Sequence, residues 1–454
     1  MSPDSSVRIL FVGDMHLGRL PSRVPDAALD QGGWSRREIG PAGAWRAIVA
    51  QALELGVDAV ALAGDLVERD NALFEAYGPL ADGVRRLVDG GVTVAGVAGN
   101  HDTTVLPRLA AEIEGFHLLG PGGTWTALPV TGKSGGRLDL VGWSFPTRHH
   151  GASPLLNPPP VPSGITLGLL HADLDAHDSA SAPVTSDALR AVGYQGWFLG
   201  HVHRPGPVPA DGTPFYLGSV TGLKPTETGL HGPVLVDVDR TGRLTARRLP
   251  LATLRWEERA LDCTDLADPA TGLPSHLLGL LRQIHQECVA ELDETLALGV
   301  RVTLTGAVDN PAAVEKAVRD FPLDEAVTTL GETVFFVQKI ATDLNLRADL
   351  AALATRADPP GLLARQILAL ENPGADIPGV PDPAALVEDL VAAAAFEIAR
   401  IDRENTFAAL DDQNEQEGPP SPDELVHMIA RSGRLALAGL LAQTEYGEAP
   451  HAAE

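Results

Sequence analysis

The run Val92-Thr93-Val94-Ala95-Gly96-Val97-Ala98, closed by Gly99-Asn100-His101-Asp102, decides how this chain is read. Small and β-branched residues ending in turn chemistry describe a buried strand. Gly99 lets the backbone turn, and an amide, an imidazole and a carboxylate emerge together. An asparagine offers a neutral oxygen to a metal, a histidine a proton donor, and an aspartate an anchor for a loop or a ring. Four residues alone decide little. The same pattern recurs on both sides.

Upstream, Arg8-Ile9-Leu10-Phe11-Val12 reads as a strand running into Gly13-Asp14-Met15-His16, and Val57 to Ala63 as a second strand delivering Gly64-Asp65. Asp14 and His16 can project toward one centre, although a polar turn is the other reading. Asp65 has two oxygens and can bridge two ions. Helical spacing over Ala44–Leu55 and Ala72–Val88 links these strands, and the Pro/Gly-rich residues 20–43 read as a loop that could overhang a site. Three β-α units with polar residues at each strand end imply a layered α/β sheet whose site lies at the carboxyl ends.

Downstream, residues 115–143 read as short strands and turns. His149 and His150 can touch a substrate or simply sit on a surface loop before the Pro-rich stretch 154–162. The strand Ile165–Leu170 presents His171, while Asp173, Asp175, His177 and Asp178 behind it read as loop hydrogen bonding or capping. Trp197-Phe198-Leu199 delivers Gly200-His201-Val202-His203, where alternation puts both imidazoles on one side. Ser219 and Lys224, before the strand Val234–Val238, can hold a phosphate or build a turn.

After Leu251 the texture changes. A strand over 256–262, a helix over 277–298, a strand over 300–304, a helix over 311–320 and a strand over 334–339 make a small α+β unit. Helices follow over 346–370, 384–410 and 423–443, with an acidic joint at 411–417. The expected organisation is therefore 1–250 for the chemistry, 251–345 for a cap and 346–454 for a helical region able to dock a partner.

The chain has 454 residues, 44% of them hydrophobic, and its net charge is −26. Residues 1–250 carry 20 basic against 25 acidic side chains, a net of −5; residues 251–454 carry 14 against 35, a net of −21. That balance opposes a nucleic-acid partner unless the acidic part faces away or is covered by a basic one. No apolar run reaches the length of a membrane span, and no signal peptide is read at the start. Cys263 and Cys288 have no CxxC spacing, so free buried thiols in a reducing cytoplasm are expected.

Together the strand ends supply Asp14, His16, Asp65, Asn100, His171, His201 and His203, with His101 adjacent. Oxygen and nitrogen donors without a thiolate suit two divalent ions of the manganese, iron or zinc type, about 3.5–4 Å apart. Such a pair polarises a phosphoryl group and lowers the pKa of water, and His101 can protonate the leaving oxygen.

This ordered pattern resembles that of the calcineurin-like metallophosphoesterases over roughly residues 7–240. Asp14-Met-His16-Leu-Gly-Arg19, Leu170-His171-Ala-Asp-Leu-Asp and Glu227-Thr-Gly-x-x-Gly are similar to features of SbcD/YhaO-type DNA-repair exonucleases, a likeness extending to about 345. The resemblance implies a layered β-sandwich flanked by helices and a small α+β cap, here followed by a helical C-terminal region. It implies Asp14, His16, Asp65 and His203 around one metal, Asp65, Asn100, His171 and His201 around the other, and His101 near the scissile phosphate. It further implies manganese, 3′→5′ exonuclease or endonuclease activity on DNA, a coiled-coil ATPase partner of the SbcC/YhaN type, and leaves room for a homodimer. This sequence contains no Gly-x-x-x-x-Gly-Lys-Ser/Thr phosphate loop, so the ATPase would be another chain. Two departures bear on the substrate: the acidity, and Lys224 where related nucleases carry an arginine. They keep open a phosphodiesterase for a nucleotide or another small phosphoester, and, from a different class, a DNA-end-binding scaffold subunit.

Overall fold

A computed structural model describes residues 5–69, 72–161, 164–176, 179–210, 212–403 and 420–447. His177, Asp178, residues 1–4 at the start, Pro162, the end of the helix expected over 384–410 and the acidic joint 411–417 lie outside the described residues. The chain divides into two compact units: residues 1–258, 281–301 and 323–339 form the first, and residues 259–280, 302–322 and 340–454 the second.

The first unit is built on β1 (Ser5–Val12), β2 (Ala59–Leu62), β3 (Thr93–Gly96), β4 (Phe116–Leu118), β5 (Trp125–Thr131), β6 (Arg137–Trp143), β7 (Thr166–His171), β8 (Gly196–Gly200), β9 (Phe215–Tyr216), β10 (Val234–Asp239) and β11 (Leu244–Arg248). They form a six-stranded sheet in the order β11-β10-β1-β2-β3-β4 and a five-stranded sheet β5-β6-β7-β8-β9. β1 to β4 are parallel, as are β6 to β9.

Period-two alternation explains how the sheets stack. Ile9, Phe11, Ala61 and Val97 of the first sheet meet Leu140, Leu167, Leu169 and Phe198 of the second in one buried cluster. Phe11 and Phe198 stack there with ring centroids 3.6 Å apart. Leu10, Val12, Val60 and Leu62 face the other way, onto Trp45, Ile48, Leu80 and Val84 of the helices Pro41–Glu54 and Leu73–Asp89. Burial on both faces is why these strands read as nearly continuous apolar runs. The molecule thus contains the α/β, helix-flanked β-sandwich expected from the sequence. The crossover helices place every parallel strand of the first sheet with its carboxyl end at one edge.

Residues 20–43 differ from the expected loop. They contain a short helix, Asp26–Gly32, and Val24, Ala28 and Ile39 pack on Leu254, Trp256 and Phe336. These apolar residues, spaced across a Pro/Gly-rich stretch, give no periodic signal. The helix expected over 277–298 runs over Pro269–Cys288, followed by a 3-10 turn at Val289–Glu291 and a strand from Ala297. The Thr295 hydroxyl donates to the Ala252 carbonyl and draws that end of the chain into sheet.

In the second unit, the helix expected over 346–370 is two helices, Leu350–Ala354 and Pro359–Glu371. The Pro359-Pro360 pair cannot continue a helix from its amino side, and Asp358 caps the new one by accepting from Gly361 N. Both pack with Leu437 and Ala438 of the helix Pro422–Gly447. No helix among the described residues is long and apolar enough to cross a membrane.

Candidate metal centre

The strand-end residues converge in the first unit. Asp14, His16, Asp65 and His171 are buried, Asn100, His201 and His203 half-buried, and His101 stands at the rim beside Glu68. The first sheet supplies Asp14, His16, Asp65, Asn100 and His101 after β1, β2 and β3. The second supplies His171 at the end of β7, and His201 and His203 after β8.

Glycines make the approach possible. A Cβ on Gly99 would lie 2.1 Å from Asp65 Oδ1, and one on Gly64, at φ +89°, would lie 2.7 Å from His171 Nδ1. Gly99 is therefore demanded by crowding rather than by a left-handed turn. Three non-glycine residues of the cluster do hold positive φ: His16 at 51°, Asp65 at 47° and His201 at 106°. Backbone strain of this kind persists where surrounding interactions over-determine it. Here Asp102 supplies some of them. Its fully buried carboxylate accepts from Gly99 N at 2.7 Å, Leu66 N at 2.7 Å and Val67 N at 3.3 Å, joining the loops after β2 and β3.

Four histidines of the cluster, His16, His171, His201 and His203, are each held by one ring nitrogen. His203 Nδ1 meets Glu227 Oε1 at 2.9 Å, His201 Nε2 meets Asp173 Oδ1 at 3.1 Å, and His171 Nδ1 meets the Ala63 carbonyl at 3.0 Å. His16 Nδ1 lies 3.0 Å from Glu68 Oε2, and neither of these buried atoms has another hydrogen-bond partner among the described residues. Oxygen acceptors assign N–H to those nitrogens, so the opposite nitrogen of each neutral ring carries a lone pair. Those lone pairs face one another: His16 Nε2 and His203 Nε2 at 2.9 Å, His171 Nε2 and His201 Nδ1 at 3.2 Å, with Asn100 Oδ1 3.0 Å from His171 Nε2. Acceptors converging on acceptors repel unless a proton or a cation lies between them. Oxygen and imidazole donors in this number fit divalent cations.

Two groups of atoms are close enough to hold one: Asp14, His16 and His203, and Asp14, Asp65 and His171, each within 4.8 Å of one another. Asp65 Oδ2 also reaches both sides, 3.4 Å from His171 Nε2 and 3.9 Å from His16 Nε2. Burial pushes the Asp65 carboxyl well above its ordinary value, and the charges of Asp102 and Asp14 push the same way. Burial also holds His171 neutral down to about 3 and depresses His16 and His101. Burial opposes charging of His203 too, but its Glu227 bond and the Asp14 charge win and raise it.

Sequence reading misses the carboxylates that orient these rings. Glu68 lies three residues beyond Asp65. Glu227 stands only in a motif of resemblance, and Asp173 reads as loop bonding, which it also makes, with Ser179. Ser219 is a turn residue rather than a phosphate holder: it is fully buried and its hydroxyl donates to the Thr221 carbonyl. Lys224 is exposed, as is His149, whereas His150 tilts on Trp143.

Residues 7–205 match the family model of the calcineurin-like phosphoesterases. They form a calcineurin-like metallophosphoesterase domain. Among curated relatives of this domain, the uncharacterised metallophosphoesterase YhaO of Bacillus subtilis is 28% identical over 244 residues, covering 48% of this chain and 55% of its own length. The DNA double-strand break repair protein Mre11 of Haloferax volcanii is 36% identical over 98 residues, covering 21% of this chain and 20% of its own. This chain thus spans about half the length of the first relative and a fifth of the second. Among solved structures, a dimetal phosphatase from Danio rerio matches at 15% identity with a TM-score of 0.33, covering 54% of this chain and 99% of that one. A Thermus thermophilus protein matches at 14% identity and 0.31, with the same coverage of each chain.

Proposed function

We propose that the chain is a two-metal phosphodiesterase that cuts DNA ends, as exonuclease or endonuclease, in a repair complex whose coiled-coil ATPase is a separate chain. The observation that carries the hydrolytic part is the set of four histidines whose outer nitrogens are held by oxygen acceptors and whose inner lone pairs converge. Asp14, His16, Asp65 and His203 would hold one cation, and Asp65, Asn100, His171 and His201 the other, with manganese the first choice. When bound, such a pair polarises a phosphoryl group and lowers the pKa of water.

The chain's own groups do the rest. Glu68, Asp173 and Glu227 fix the rings, and Asp102 fixes the loops that carry Asp65 and Asn100. His101 Nδ1 donates to the Glu68 carbonyl at 3.0 Å, which leaves Nε2 to serve the leaving oxygen. Burial favours the neutral ring, so the negative phosphate beside it is what loads the second proton.

The DNA-repair part rests on the partial likeness to Mre11 and on the motifs shared with SbcD-type nucleases. In this reading residues 1–250 are the nuclease domain, 251–345 the cap, and 346–454 the docking region for the ATPase, in the cytoplasm. The net charge of −26 favours a second reading, a phosphodiesterase for a nucleotide or another small ester. Purified protein with Mn²⁺ is to be assayed on 3′-labelled duplex DNA and on bis-p-nitrophenyl phosphate, with His101→Ala as control. Cleavage of both, lost in the variant, supports the nuclease. Cleavage of the small ester alone, persisting with a candidate ATPase present, favours the second reading.

A further inference from the structure

A cleft lined by two arginines begins, along the chain, one residue after His203 on one wall and one residue after its orienting partner Glu227 on the other. Arg204 and Pro205 follow the metal-site His203 on one wall, and Thr228 and Leu230 follow Glu227 on the other, with Arg248 also lining a space of about 420 Å³. Among the described residues no carboxylate lines it. Arg248 reaches it from β11, and its guanidinium donates to backbone carbonyls, those of Leu217, Gly232 and Gly206. A guanidinium has five N–H donors, so after three bonds about two are left without an acceptor among the described residues. Burial depresses Arg248 to about 10, with no neighbouring carboxylate acting against it. Among the described residues Arg204 makes no ion pair either, although acidic side chains outnumber basic ones 60 to 34. Arg204 is exposed, so water meets its charge, whereas half-buried Arg248 lies away from any carboxylate; an anion arriving with a ligand would be stabilised by both.

The geometry points to this cleft as the seat of the phosphate next along the strand from the scissile one, so that the substrate is a polynucleotide strand. The inference rests on the phosphodiesterase reading above and names its substrate class. Arg204 and the two uncommitted N–H groups of Arg248 take the phosphate oxygens, a geometry guanidinium favours. The apolar wall of Pro205, Val208 and Leu230 accommodates sugar and base edges without reading sequence. A phosphomonoester or a single small diester has nothing to place there.

Two readouts test it on the full chain. The first is cleavage with Mn²⁺ of a labelled single-stranded oligonucleotide and of bis-p-nitrophenyl phosphate; the second is binding of the same strand in EDTA, followed by fluorescence anisotropy across a salt series. Arg204→Glu is expected to lower the ratio of oligonucleotide to small-ester kcat/KM by about tenfold or more, mainly through KM. It should also cut the slope of log K against log salt by about 0.7 for each phosphate that the variant no longer neutralises. Arg248→Lys, which keeps the charge but not the fork, should lower the same ratio less; it loses bonds to backbone carbonyls and so melts lower, and a cooperative transition shows that it folds. If the wild-type chain cleaves the oligonucleotide and neither variant alters the ratio or the slope, the cleft is not the subsite and the nuclease reading stands. If the wild type cleaves only the small ester and does not bind the strand, both fall.

Discussion

Nε2 of His16 and Nε2 of His203 face each other at 2.9 Å, while the far nitrogen of each ring lies against a glutamate, Glu68 for the first and Glu227 for the second. Two neutral imidazoles so oriented present lone pair to lone pair. The arrangement is stable when a cation draws on both, and the glutamates raise the basicity of what they orient.

Glu227→Gln should therefore weaken Mn²⁺ binding by about 10–100-fold while leaving far-UV circular dichroism unaltered. Glutamine can still accept from Leu223 N and Lys224 N, as Glu227 does at 2.9 and 3.2 Å, so the loop is kept and the ring is released. Isothermal titration gives the affinity. An unchanged value would show that His203 is not oriented for a cation.

Asp65→Asn separates the two costs carried by one buried acid. With its folded value raised above the unfolded one, Asp65 makes the metal-free protein less stable as pH rises from the ordinary carboxylate value through the folded value. Asparagine removes that slope, so the metal-free variant should melt higher than the parent at pH 8. Activity on bis-p-nitrophenyl phosphate with Mn²⁺ should fall by about a hundredfold or more, roughly 2.7 kcal/mol at 1.36 kcal/mol per tenfold. A melting point below the parent's would reject the account of the buried charge.

His171 has the opposite sign. Burial holds it neutral to about 3 in the folded chain against an ordinary value of 6.5, so the unfolded chain takes up the extra proton first. The metal-free protein should lose stability as pH falls from 6.5 toward 3. Thermal melts in EDTA between about pH 4 and 7 should show a flatter acid limb for His171→Gln than for the parent; parallel curves would mean that other groups drive acid unfolding.

Asp102→Ala removes the acceptor of three backbone N–H groups in a fully buried place. Charge-assisted bonds of this kind and the donors left behind cost about 3 kcal/mol or more in sum, on the order of 6–12 °C in a unit of this size. Differential scanning calorimetry should show that loss with and without Mn²⁺. A shift of a degree or less would mean the two loops are held by other bonds.

The strands and seven of the candidate ligands are legible in the sequence because each ligand follows an apolar run buried on both faces, and such runs end where the sheet ends. Asp14, Asp65, Asn100 and His171 are read that way directly. Glu68, Asp173 and Glu227 are not, because a carboxylate in a loop acquires its partner only when distant loops close; Glu227 and His203 are 24 residues apart. The helix Asp26–Gly32 escapes for a similar reason: its burial comes from Trp256 and Phe336, far along the chain. The break at Pro359-Pro360 is present in the letters, and the apolar spacing on either side conceals it.

Neither sheet of the sandwich owns a complete cluster. The first contributes Asp14, His16, Asp65 and Asn100, and the second His171, His201 and His203. The chain reaches Asn100 with its acids but without three of its imidazoles, and the first sheet is completed by β10 and β11 only after every strand of the second has been made. A complete set of candidate ligands then awaits the packing of the two sheets against each other. A centre split in this way is assembled only when the core beneath it is.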